Sequence, residues 1–278
     1  MNRHPESDAR GDVQTHLWNL LARRAFQPFW EASHKLVVRG MGYNNYSPKQ
    51  NGEYRVLAQV LRQCETDRPI VFDVGANDGA FTARVLELVP GAEVHAFEPN
   101  PPTYARLAAR FAGRENVHTH AVGLSDRQTT LELADYADAD GSEHASFTAE
   151  GMATVLPPRR RGHAARALSF TLVQVTTLDA FIAQHRIPGI DYLKIDVEGH
   201  ERAVLLGALE TIADRRVRNL QIEINAHNAV TGFSLYQMRS MLPYYVVCKI
   251  LPDGPYRIDN TIQHEIFRYS NFLFQRMD

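Results

Sequence analysis

At 278 residues the chain can hold one α/β domain of ordinary size plus an appendage, and two full domains would each be small. Hydrophobic residues at 44% and charged residues at 22% exclude a disordered or fibrous chain. A formal net charge of -2 argues against a surface built to neutralise a polyanion, so nucleic acid is not expected as a partner. Residues 13–38 read as helix, with Leu17, Leu20, Leu21, Phe26, Phe29 and Trp30 at roughly helical spacing and Pro28 as a kink. The Gly- and Asn-rich run from Gly40 to Pro48 reads as a loop, and its Tyr43 and Tyr46 either face a ligand or peg the loop down. A second helix follows near residues 53–63, and residues 1–66 together read as an N-terminal helical appendage to a domain spanning 67–278.

From Pro69 short apolar runs alternate with helical stretches, the pattern of βαβ units around a mostly parallel, doubly wound sheet. The strands fall at 70–74, 93–98, 117–122, 192–197 and 220–225. Helices fit at 81–88, at 102–111 before Gly113, and at 178–185, where Thr176-Thr177-Leu178-Asp179 has the form of a capping box. Residues 244–250, the Pro252-Asp253-Gly254-Pro255 turn and the run 266–274 predict antiparallel pairing at the C-terminal end of the sheet. Residues 134–168 show little periodicity and read as a long insertion or lid.

The chemistry begins where the first strand runs into a glycine turn and a helix, through Asp73-Val74-Gly75-Ala76-Asn77-Asp78-Gly79-Ala80-Phe81. Gly75 and Gly79 let the backbone pass close to a ligand. Glu98, closing the next strand, stands where a carboxylate accepts both hydroxyls of a ribose. Asn77 occupies the place of the second glycine of a dinucleotide fingerprint, and Asp73 would repel a pyrophosphate, yet both carboxylates suit a cationic adenosine-bearing ligand. S-adenosylmethionine (SAM) therefore fits better than NAD.

Four motifs in order, Asp73 to Gly79, Ala96-Phe97-Glu98-Pro99-Asn100, Ala121-Val122-Gly123-Leu124-Ser125-Asp126 and Lys194-Ile195-Asp196-Val197-Glu198-Gly199-His200-Glu201, resemble the signatures of the FkbM family of SAM-dependent methyltransferases. The resemblance runs from about Pro69 to Glu223. It implies a Rossmann-like methyltransferase sheet, SAM as cofactor, and methylation of a hydroxyl on a natural product, sugar or glycan. Asp73, Gly75, Asn77, Gly79 and Glu98 match the SAM signature, with Ala76, Phe81, Pro99 and Asn100 in the same two segments. Ala121 and Val122 sit where such folds pack the adenine ring.

Read without the family, the strand Asp191-Tyr192-Leu193-Lys194-Ile195-Asp196 places Tyr192, Lys194 and Asp196 on one face, and the next strand does the same with Gln221, Glu223 and Asn225. Central parallel strands are normally apolar on both faces, and buried charges are costly unless paired or touching a ligand. Two polar faces on neighbouring strands predict one shared polar pocket. It is either an acceptor site, with Asp196 first as general base and Glu223 and His227 behind it, or an ion-pair network around Lys194 that orients loops. His200 and Glu201 open the following helix and read as structural. Asp196, Glu198, Glu223 and Asn225 could hold Mg²⁺, but Lys194 on the same face counts against it, and the twelve histidines are scattered, so no metal is expected.

The reading that follows is a SAM-dependent O-methyltransferase acting on a small molecule, a sugar, glycoside or natural product. A non-catalytic SAM-binding module and an NAD(P)-linked oxidoreductase are the alternatives. Cys64 and Cys248 lack any Cys-x-x-Cys spacing and read as buried small hydrophobes. The basic run 157–163 reads as solvated surface. With no apolar leader and no run of about 18 apolar residues, a cytoplasmic protein without a membrane span is expected, possibly a homo-oligomer.

Overall fold

A computed structural model describes residues 15, 17–137, 143–147, 169–259 and 261–277. The predicted lid lies largely outside the described residues, and the basic run 157–163 does so entirely. The chain divides into two compact units, Met1–Asn44 and Asn45–Asp278.

In the first unit a short 3₁₀ turn, Arg24–Phe26, leads into helix α1, Gln27–Gly40. Pro28 lies in the first turn of α1 rather than at a kink in a longer helix, because a missing N–H is harmless where no intrahelical acceptor exists. The Trp30 indole N–H donates to the Leu21 carbonyl at 2.8 Å, tying the helix to the segment before it.

The second unit is built on an eight-stranded sheet of order β11-β10-β12-β9-β8-β1-β2-β3. Its strands are β1 (Ile70–Val74), β2 (Glu93–Phe97), β3 (Val117–His120), β8 (Ile190–Ile195), β9 (Val217–Ile224), β10 (Tyr245–Leu251), β11 (Gly254–Arg257) and β12 (Ser270–Arg276). From β9 to β3 the strands are parallel, while β12 runs antiparallel between β9 and β10. β1 is buried along most of its length, which is why it reads as a near-continuous apolar run, while β8 is buried despite its polar face. The turn at 252–254 pairs β10 with the short β11, and the C-terminal run, which begins its strand at Ser270, inserts as β12 beside β9. The predicted C-terminal antiparallel pairing is thus present, with one more strand than the sequence pattern shows.

Helix α2 (Glu53–Arg62) belongs to this second unit and not to the appendage. Val56, Leu57, Val60 and Leu61 recur at helical spacing and are buried in the core with Val71, Val85 and Tyr192. Burial of such side chains is worth about 1.5–3 kcal/mol each. Helices α3 (Ala80–Leu88), α4 (Pro101–Arg110) and α5 (Leu178–His185) fall close to their predicted places. At α5 the cap is Thr177, whose side chain accepts from the Ala180 N–H at 3.0 Å. Asp179 forms no capping box. It accepts instead from the Glu210 N–H at 3.1 Å and the Thr211 N–H at 2.9 Å, capping α7 (Leu209–Ala213), a partner 31 or more residues away that no local spacing reveals.

A second sheet, of order β4-β7-β5-β6, was not visible in the sequence pattern. Its strands are β4 (Gly123–Leu124), β5 (Thr129–Ala137), β6 (Glu143–Ser146) and β7 (Ser169–Thr176). β5 and β6 occupy the start of the segment expected to be an aperiodic insertion. The third predicted strand likewise ends at His120, and Gly123–Leu124 pairs with β7 in this other sheet. Among the described residues no helix is long and apolar enough to cross a membrane. Both cysteines are free: Cys248 is buried, and Cys64 is only half-buried, its thiol pushed up to about 11 by burial.

Candidate active site

The turn after β1 is held by backbone geometry that only certain residues supply. Gly75 has φ +82°, and a Cβ there would stand 1.9 Å from the Asp196 carbonyl oxygen. Gly79 has φ +80°, and its Cβ would meet the Phe111 ring at 2.4 Å. Asn77, between them, takes φ 49°, a left-handed conformation that asparagine tolerates better than most residues. The Gly75 and Ala76 N–H groups both donate to the Phe97 carbonyl, at 3.1 and 2.9 Å, so the turn is pinned to the end of β2.

Glu98 is buried, and its two carboxylate oxygens accept from the backbone N–H groups of Asn77 at 3.0 Å and Asn100 at 2.9 Å. This carboxylate therefore clamps the β1 turn to the start of α4. An ionised carboxylate has about four acceptor positions, so capacity for ribose hydroxyls remains after these two bonds. Asp73 lies beneath the turn, 0% exposed, with Oδ2 accepting from the Thr82 hydroxyl at 2.7 Å and Oδ1 without a hydrogen-bond partner among the described residues. Burial raises its pKa, opposed by the nearby Lys194 ammonium and the Thr82 bond. As placed, it supports the turn from below and is not open to a ligand's direct approach.

Phe81 is buried in the first turn of α3, with the Lys194 ammonium 5.4 Å from its ring centroid. Ala76 and Asn100 are buried and Pro99 is half-buried. Val122 is half-buried and Ala121 exposed in the bend after β3, so the candidate adenine wall is a loop and not a strand end.

The polar faces of β8 and β9 converge at their carboxyl ends, beside this turn. The Asp196 N–H donates to the Val74 carbonyl at 3.0 Å, and Lys194 Nζ donates to Asp196 Oδ2 at 2.7 Å. Lys194 is 7% exposed; burial alone would lower its pKa, but Asp196, Asp73 and Glu53 outweigh that and raise it, so the ammonium is firmly held. Glu198, carried by a left-handed residue of φ 50°, accepts from Asn225 Nδ2 at 3.0 Å and lies 3.0 Å from His227 Nδ1. Asn225 Nδ2 also reaches Glu223 Oε1 at 3.2 Å. Burial, then Asp196 and Glu198, push the Glu223 carboxyl well above the usual range. Asp196, Glu198 and Glu223 lie close enough together to form a potential three-carboxylate ion site.

Deeper on the same face the Tyr192 hydroxyl donates to Gln221 Oε1 at 2.5 Å, and the Gln221 amide donates to Glu53 and Asn271, both at 2.9 Å. Glu53 and Tyr269 were missed by sequence reasoning. Glu53 arrives from α2 with a pKa raised by burial, and Tyr269, whose hydroxyl pKa is raised by burial and then by Glu223, stacks on Tyr46 at 4.4 Å. Nothing in their local sequence marks them; only the packing of α2 and β12 brings them here. His200 and Glu201 contact residues of the fold beside the cleft. His200 Nε2 is 2.9 Å from the Ser125 hydroxyl, and buried Glu201 accepts from the Gly199 N–H and the Asn228 amide.

A parallel doubly wound sheet with a glycine turn after its first strand, a carboxylate closing its second and a polar cleft beside them is the architecture of a SAM-dependent methyltransferase. The FkbM methyltransferase domain matches residues 73–246, more than half of the sequence, and the chain belongs to this family. It is 26% identical over 211 residues to the 2-O-methyltransferase NoeI of Sinorhizobium fredii, covering 74% of this chain and 84% of that one. It is 32% identical over 181 residues to the 31-O-demethyl-FK506 methyltransferase FkbM of Streptomyces tacrolimicus, covering 59% and 68%. A crystal structure of an FkbM methyltransferase from Methylobacillus flagellatus aligns over 77% of this chain and 45% of its own, with 16% identity and a TM-score of 0.46. The cofactor is S-adenosylmethionine.

The residues present fit that cofactor. The turn and Glu98 offer backbone and carboxylate acceptors for an adenosine, and the carboxylates of Glu98 and half-buried Asp196 suit a sulfonium rather than a pyrophosphate.

Proposed function

We propose that the protein methylates a hydroxyl of a small molecule, a sugar, glycoside or natural product, at the cleft formed by Lys194, Asp196, Glu223 and His227. The observation that carries this reading is the position of Asp196. Its backbone touches the cofactor turn at Gly75 and Val74, and its carboxylate opens into the polar cleft, 26% exposed. Relatives named for O-methylation, among them NoeI and FkbM, support the same acceptor atom.

When bound, SAM supplies an electrophilic methyl that needs no further activation. The chain's own residues have two tasks: to hold the acceptor oxygen in line with that methyl, worth up to about 7–11 kcal/mol, and to take one proton. Asp196 receives the proton as the hydroxyl attacks, and Lys194 fixes the orientation of its carboxylate. Glu223, with its raised proton affinity, is the second candidate. The donors already on the three-carboxylate group, Lys194 and Asn225, make a Mg²⁺ ion unnecessary there.

The test is a SAM-consumption assay over a panel of sugars, glycosides and macrolide alcohols, with NAD and SAM titrations in parallel. Methyl transfer to a hydroxyl acceptor is expected, with binding of SAM and not of NAD. A protein that binds SAM yet methylates only nitrogen, carbon or sulfur centres would overturn the O-specific reading.

A further inference from the structure

Away from the cleft, three histidines, His95, His118 and His120, meet at the β3 edge of the large sheet. His95 pairs with His118 across β2 and β3, His120 lies one turn of the pleat further on, and the His95 and His120 rings are stacked at 5.4 Å. Glu93 shares a face with His95, two residues along β2. Glu93 Oε1 stands 3.6 Å from His95 Nε2 and 3.8 Å from His118 Nε2. All three atoms lie within 4.8 Å of one another.

The decisive group is His95. It is 4% exposed, and its Nε2 has no hydrogen-bond partner among the described residues. Its other nitrogen, Nδ1, lies 3.2 Å from His120 Nε2. If Nδ1 carries the proton and donates to His120, Nε2 points a bare lone pair at a carboxylate oxygen, which is repulsive unless a cation lies between. If Nε2 carries it, a buried donor faces an acceptor beyond hydrogen-bond reach. Protonating both nitrogens would leave a charge on a ring that is 4% exposed, which burial disfavours. A divalent cation resolves the conflict, with the His95–His120 bond fixing the tautomer that leaves Nε2 free to ligate.

We propose that Glu93, His95 and His118 bind a zinc-type divalent cation, with water completing the coordination. Zinc–nitrogen and zinc–oxygen bonds of about 2.0–2.2 Å place tetrahedral ligand atoms about 3.3–3.5 Å apart, so the two carboxylate–imidazole separations, 3.6 and 3.8 Å, need to contract by only a few tenths of an ångström. Two imidazoles and one carboxylate suit zinc over the harder magnesium. The Glu93 and His118 side chains are 30% and 42% exposed, which gives water and ion a way in. Arg68 approaches the other Glu93 oxygen, Oε2, at 3.9 Å, and leaves Oε1 to the ion.

The site lies three to five residues before Glu98 along the chain, about 10–16 Å from the cofactor end. Its role is therefore structural: it ties edge strand β3 to β2, independently of methyl transfer.

The test uses tag-free, full-length protein stripped with a chelator and titrated with Co²⁺ and then Zn²⁺. One Co²⁺ per chain should bind with visible d–d absorption of a four- or five-coordinate ion, be displaced by Zn²⁺, and raise the melting temperature. His118→Ala, at a half-exposed ring that the core does not need, should weaken Co²⁺ at least about tenfold and abolish the rise, and Glu93→Gln should do the same. The double variant Asp196→Asn/Glu223→Gln should bind Co²⁺ like the wild type. Binding of less than about half an ion per chain, or wild-type affinity in both His118→Ala and Glu93→Gln, would overturn the proposal. So would loss of binding in the Asp196/Glu223 double variant, which would place the ion in the cleft.

Discussion

Replacing Asp196 by asparagine separates catalysis from structure at one position. In the native chain Asp196 Oδ2 accepts from Lys194 at 2.7 Å, with the lysine 7% exposed. Removing one partner of an isolated buried pair costs about 3–5 kcal/mol. Lys194 is not isolated, however, because Asp73 and Glu53 also favour its charged form, and the asparagine carbonyl can still accept its N–H. The stability loss should fall to about 1–3 kcal/mol, the range of one hydrogen bond to a charged group. For a unit of this size that is a melting-temperature drop of roughly 2–12 °C. The amide cannot take a proton, so kcat should fall by about 10²–10⁴ while SAM affinity stays within a few-fold. Calorimetry for SAM, a thermal melt and saturating-substrate rates measure the three quantities on one preparation. A variant that melts much earlier yet keeps a normal kcat while folded would refute the assignment and move the base to Glu223 or His227.

Other outcomes follow from the same geometry. Glu98→Ala should weaken SAM at least about tenfold and also lower the stability of the cofactor-free protein by roughly 2–4 kcal/mol, since it frees two backbone donors; an unchanged SAM dissociation constant would remove Glu98 from the cradle. Gly75→Ala drives a Cβ into the Asp196 carbonyl at a left-handed φ, and the soluble yield or melting temperature should collapse; near-native stability would mean that the turn is not as tightly seated as described. Adding Mg²⁺ to chelator-treated enzyme should leave kcat unchanged, and restoration of a lost rate by Mg²⁺ would make Asp196, Glu198 and Glu223 ligands. Burial lowers His95 to about 4, His120 to about 3 and His200 to about 4, so between about pH 6.5 and 4 the unfolded chain binds protons that the native state refuses. Stability should therefore fall as pH drops through that window. Buried Glu201, raised to about 7, acts in the opposite sense by losing stability as pH rises from about 4.5 to 7. Ring-proton NMR titration of metal-free protein checks the histidine contribution on its own, and rings that titrate near 6.5 would contradict it.

The alternation of strand and helix from Pro69, the glycine turn at Gly75 and Gly79, the carboxylate of Glu98, and the polar faces of β8 and β9 were all legible in the linear sequence. Each depends on local geometry: a strand shows its two faces at a spacing of two residues, and a tight left-handed turn admits few residue types. Tertiary structure decided what those groups touch. Glu98 proved to clamp the turn, because Asn77 and Asn100 come to it from two different elements. Glu53 and Tyr269 entered the cleft through the packing of α2 and β12, and Asp179 left its own helix to cap α7. The second sheet was hidden because β4 and β6 are short and β5 and β7 find their partners across a long stretch of chain. Glu93, His95 and His118 looked scattered for the same reason. Their meeting depends on the register of β2 against β3, a cross-strand hydrogen-bonding choice settled by burial of the whole sheet and written in no local spacing.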